Sequence, residues 1–71
     1  MPDSVYKVIE VIGTSPTSFA EAAKSAVEKV AATVQDLRVA RVVEFDMKLE
    51  NGKVTAYRAR VKVSFKYHDE L

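Results

Sequence analysis

The chain contains no cysteine and no tryptophan, a single histidine, two glycines and two prolines. Without cysteine there can be no disulfide staple and no thiolate metal site. The lone histidine, His68, lies in a polar stretch and reads as a solvated residue, so neither a Ser–His–acid set nor an imidazole base can be assembled and the expectation is a non-enzyme. A dominant charge sign is missing too. Eleven basic against ten acidic residues leave a net charge of +1, which gives no general attraction to nucleic acid or to a membrane surface. No apolar run approaches the ~20 residues that span a bilayer. The start Met1-Pro2-Asp3 carries neither the basic nor the apolar region of a secretory leader, so the expected location is cytoplasmic.

What the chain does have is apolar residues, 48% of its 71, enough for a globular fold. One domain over 1–71 is expected, close to the lower limit for a self-sufficient core. With disulfides and thiolate metal sites excluded, association of subunits is the remaining way to stabilise it.

Val5 to Ile12 is β-branched and aromatic-rich and predicts a first strand, broken by turn chemistry over Gly13-Thr14-Ser15-Pro16-Thr17. Ser18 followed by Glu21 forms a capping box, and the helix is expected from there to about Val34. Its apolar face is Phe19, Ala23, Ala26/Val27, Val30 and Val34, continuing to Leu37. Strand patterns follow over Val39–Glu50 and Lys53–Tyr67. For the hairpin between them, a two-residue Asn51-Gly52 turn would oppose Phe45 to Arg58 and Asp46 to Tyr57. A three-residue Glu50-Asn51-Gly52 loop with a glycine bulge instead places Phe45 opposite Tyr57 and Glu44 opposite Arg58, and is preferred because each face stays chemically consistent.

Handedness and connection length then give an α+β fold, β-α-β-β. Strands one and two are parallel, strand three sits between them antiparallel to both, and the helix crosses one face. A 12-residue strand is ~40 Å long, while a 17-residue helix covers ~25 Å. Much apolar sheet would stay wet in a monomer, so the chain is expected to be part of an oligomer with its ligand between subunits.

On strand three, Arg58, Arg60, Lys62, Ser64 and Lys66 alternate with Tyr57, Ala59, Val61, Val63, Phe65 and Tyr67. A basic stripe of this kind can track phosphates, but the aromatics fall on the other face and strand two offers acids, so cross-strand ion pairs are the preferred reading. Glu44, Asp46 and Glu50 share a face of strand two, where alternate carboxylates suit a hard cation such as calcium if other subunits complete the shell. Gly13-Thr14-Ser15 before a helix start could favour an anion, yet it has no nucleotide fingerprint and reads as turn and cap.

Val5-Tyr6-Lys7, Gly13-Thr14-Ser15, the helix with its small-residue face, Leu37-Arg38 and Val63-Ser64-Phe65 together resemble the dodecins over nearly the whole chain. That resemblance implies a three-stranded antiparallel sheet wrapped around one helix, twelve copies of which close into a hollow shell. It also implies storage of a flavin, riboflavin or FMN, stacked on a tryptophan just after Leu37-Arg38 and hydrogen-bonded by a glutamine on strand three. Here those positions are Val39 and Arg58, so the ligand positions are substituted. Valine has no π-face, and arginine donates but cannot accept. The stretches Val39-Ala40-Arg41-Val42 and Glu44-Phe45-Asp46-Met47 look more like a tryptophan-lacking branch associated with calcium. The expectation is therefore a homododecameric shell for a small ligand or ion. Calcium is placed ahead of flavin, with Glu44 and Asp46 as the metal-binding candidates; flavin storage or a ligand-free structural assembly are the alternatives.

Overall fold

The computed structural model describes residues 4–66. Four elements follow one another: β1 (Tyr6–Ser15), α1 (Phe19–Ala31), β2 (Leu37–Glu50) and β3 (Lys53–Lys66). The sheet order is β1-β3-β2, with β3 antiparallel to both neighbours, as the handedness argument requires. The Tyr67 and His68 assignments lie outside the described residues.

β1 runs three residues further than its sequence suggests. Gly13, Thr14 and Ser15 pair with Ala59, Arg58 and Tyr57 as regular strand, so the turn reading of this stretch is corrected. Gly13 is there for space. A Cβ on it would meet the backbone carbonyl of Ala22 and come within 2.8 Å of the Ala26 Cβ, so the glycine lets the helix lie directly on the strand. Ser15, buried, ends the strand by accepting hydrogen bonds from the Thr17 and Ser18 backbone N–H groups at 3.0 and 3.4 Å.

Ser18 caps α1, its hydroxyl accepting from the Glu21 N–H at 3.0 Å. The Ser18 N–H turns to Ser15, so half of the expected capping box is served from β1. α1 stops at Ala31, short of Val34: the Thr33 hydroxyl bonds the Val30 carbonyl at 3.3 Å, and the chain turns at Asp36 with φ 62°. The helix buries Ala22 and Ala26 against Ala59, Val61 and Val63 of β3, and Val30 is buried near its C-terminal end. The stripe is rotated by one residue from the expected one, Ala22 at its centre and Ala23 at its edge, because the helix lies over β1 and β3 and scarcely reaches β2.

The hairpin register departs from expectation in an instructive way. Glu50 pairs with Lys53 across a two-residue Asn51-Gly52 turn with φ of 52° and 75°, both left-handed, so the three-residue loop is corrected. The extra residue is instead Thr55, a bulge in β3, whose hydroxyl bonds the Lys48 carbonyl at 3.3 Å. Beyond it Met47 opposes Tyr57, Asp46 opposes Arg58, Phe45 opposes Ala59 and Glu44 opposes Arg60. Between Thr55 and Val43 the faces are those anticipated, while the pairs are displaced by two residues. A second bulge at Val43 resets the alternation, so that Val42 and Ala40 join Phe45 and Met47 on the helix side.

Candidate functional site

The sheet has two faces of different chemistry. On the helix side, Phe19 packs between Phe45, tilted by 50° at a centroid distance of 4.8 Å, and Tyr57, edge-to-face at 5.1 Å. Beyond this cluster the hairpin runs on uncovered, and Met47, Leu49 and Val54 are exposed. A groove of about 340 Å³, lined by Ala23, Val27, Ala40, Val42 and Val61, opens where α1 fails to cover β2.

The other face carries a charged ladder set by the register. Arg58 grips Asp46 with two hydrogen bonds, Nε to Oδ1 at 2.6 Å and Nη2 to Oδ2 at 3.0 Å. Those bonds hold the Asp46 carboxyl below its usual range and push the Arg58 guanidinium up from its own. Arg60 reaches both ways across the sheet, to Glu44 of β2 at 3.2 Å and to Glu10 of β1 at 3.6 Å. The expected Glu44–Arg58 pair is thus corrected to Glu44–Arg60 and Asp46–Arg58, a direct result of the Thr55 bulge.

Both pairs of singled-out residues lie on this charged face, opposite the helix. Glu44 and Asp46 are successive residues on it, ~7 Å apart along the strand. Val39, 60% exposed, lies opposite Ser64, six positions along β3 from Arg58 and so ~20 Å away. One protomer does not bring Val39 and Arg58 together. Nor does its donor set fit a calcium ion: among the described residues no three His, Asp or Glu side chains cluster, and six to eight oxygens are needed. Glu10 is the β1 end of the Arg60 bridge. Its signal was present in the alternation of β1, which puts Glu10 on the face of Arg60.

A small β-α-β-β protomer with its helix on one sheet face and an ion-pair ladder on the other describes the class. The dodecin family model matches residues 5–68, and the chain belongs to the dodecin family. The calcium dodecin of Mycobacterium tuberculosis (strain ATCC 25618 / H37Rv) is 56% identical to it over 64 residues, 89% of each chain. The solved structure of M. tuberculosis calcium dodecin, described as a calcium-chelating immunodominant antigen with a novel calcium-binding site, superposes with a TM-score of 0.81 at 51% identity, covering 96% of this chain and 97% of that one. The dodecin of Streptomyces coelicolor superposes with a TM-score of 0.90 at 28% identity over 99% of this chain and 100% of its own. No helix among the described residues is long and apolar enough to cross a membrane.

Proposed function

We propose that the chain is a subunit of a hollow homododecamer in the cytoplasm that binds and stores a small ligand or ion, with calcium ahead of flavin and no catalysis of its own. The observation that carries the calcium reading is the 56% identity to calcium dodecin. It is supported by the substituted flavin positions, where Val39 offers no ring to stack on and Arg58 is committed to Asp46. Glu44 and Asp46 are the proposed oxygen donors. Since one protomer falls short of a calcium shell, copies from neighbouring subunits must supply the remaining oxygens, and Arg58 and Arg60 must yield to the cation.

Calorimetric titration of the intact assembly with calcium, beside a Glu44→Gln, Asp46→Asn variant, tests this. Saturable binding lost in the variant is expected. Equal affinity in both removes these two acids as ligands, and no binding by the parent removes calcium. Absorbance of the purified protein decides the flavin alternative: a yellow preparation, or riboflavin bound below micromolar concentration, overturns the ranking.

A further inference from the structure

The charged face is uneven. At one end Glu10, Glu44 and Asp46 satisfy Arg58 and Arg60. At the other, Arg41 of β2 and Lys62 of β3 stand directly opposite one another. Side chains so placed have Cβ atoms ~5 Å apart, and like charges there destabilise the sheet. Glu10 occupies the β1 position of the same row, opposite Lys62, but its carboxylate lies with Arg60 at 3.6 Å. Among the described residues neither Arg41 nor Lys62 is in an ion pair.

The next row is Val8, Ser64 and Val39. These three, with Arg41 and Lys62, line a depression of about 230 Å³. Val8 and Val39, 54% and 60% exposed, give it apolar walls. The Ser64 hydroxyl reaches the Val39 carbonyl only at 3.4 Å, the long limit of a hydrogen bond, and can be redirected into the depression at little cost.

We propose that this depression is a binding site for a phosphate dianion, free or as the monoester of a small molecule, with Arg41, Lys62 and Ser64 as its contacts. Two unneutralised cations call for about two negative charges, and a phosphate monoester carries −1.5 to −2 near neutral pH where a carboxylate carries one. The guanidinium offers a planar fork to two phosphate oxygens, the ammonium a point charge, and the hydroxyl a third donor. The site is separate from the acidic end of the face and does not rest on the calcium reading.

The test is titration of the intact assembly at low salt with inorganic phosphate and with phenyl phosphate, using benzoate as the carboxylate control, on the parent and on an Arg41→Gln, Lys62→Gln variant. Saturable phosphate binding weakened at least tenfold in the variant is expected, with a phosphate-dependent rise in the parent's thermal midpoint over chloride at equal ionic strength. Tighter binding of phenyl phosphate than of phosphate assigns the apolar walls to an esterified ligand, and equal binding assigns the site to free phosphate. Any of three results overturns the proposal: no midpoint rise and no binding by the parent, equal binding by parent and variant, or benzoate binding as tightly as phosphate. So does a change in the variant's assembly mass without a change in phosphate binding, since the two cations would then serve a neighbouring subunit.

Discussion

Gly13 and Asp46 show how far single residues set this structure. Gly13 occupies a strand where any side chain would strike α1, so Gly13→Ala must push the helix off β1 or distort the strand. Overpacking of this kind costs about 1–3 kcal/mol. Thermal unfolding should show the loss as a lower midpoint, and an unchanged midpoint would mean that the helix seats itself on other contacts. Asp46 acts through charge. Because its folded-state pKa is depressed by the Arg58 hydrogen bonds, its contribution to stability is present above the unfolded value, about 3.9, and is lost as pH falls through the lower folded value. Asp46→Asn should therefore be less stable than the parent at neutral pH, by a small margin for so exposed a pair. The two unfolding curves should converge below about pH 4. A gap that persists in acid would point to packing as the cause.

At the scale of elements, a single inserted residue, Thr55, reconciles the two-residue turn with the two faces of the hairpin. Deleting Thr55 would leave the Asn51-Gly52 turn and the pairs beyond it in place, Lys48 with Ala56, Met47 with Tyr57 and Asp46 with Arg58, and would remove only the bulge. Every side chain would keep its face, and the hairpin would lose the local bend and added twist that the bulge supplies. Circular dichroism should keep the native sheet signal with a lowered thermal midpoint, and loss of the sheet signal would show that the strands cannot pair without the bulge. The same device explains what could be read from the sequence. The order of elements, the central place of β3 and the separation of its two faces all follow from alternation and handedness. Pairing partners did not, because consistent faces can be restored either by a longer loop or by a bulge, and the two solutions differ by two residues. The end of β1 was misread for a related reason: Gly-Thr-Ser-Pro is good turn chemistry, and the need for a missing Cβ arises only once a helix lies on it. The candidate site was legible as an acid-and-arginine face. Which acid meets which arginine depends on the bulge, and the identity of a ligand is not encoded in one chain's periodicity.

At the scale of the whole molecule, the protomer is elongated, 54 × 20 × 17 Å, because strands of 14 residues are paired with a helix of 13. The helix covers ~20 Å against ~46 Å of strand. The overhanging hairpin keeps Leu49 60% exposed and Val54 44% exposed, a waste of apolar surface in a lone chain. Leu49→Asp leaves the α1 core untouched and should weaken subunit association, seen by light scattering as a shift of mass toward the 7.9 kDa of one chain. An assembly of unchanged mass would place the subunit contacts away from the hairpin.

The central position of β3 has a consequence for how the chain is made. Synthesis proceeds from the N-terminus, and β1, α1 and β2 all emerge before the strand that joins them. β1 and β2 have no hydrogen-bonded contact with each other, and the fully buried partners of the helix, Ala59, Val61 and Val63, are all on β3. At about 5–20 residues per second, the last strand trails by one to a few seconds. Through that interval a nascent chain holds two unpaired, β-branched strands and an alanine-rich helix that has little beyond β1 to pack on. The fold thus closes as one late event once β3 is free of the ribosome.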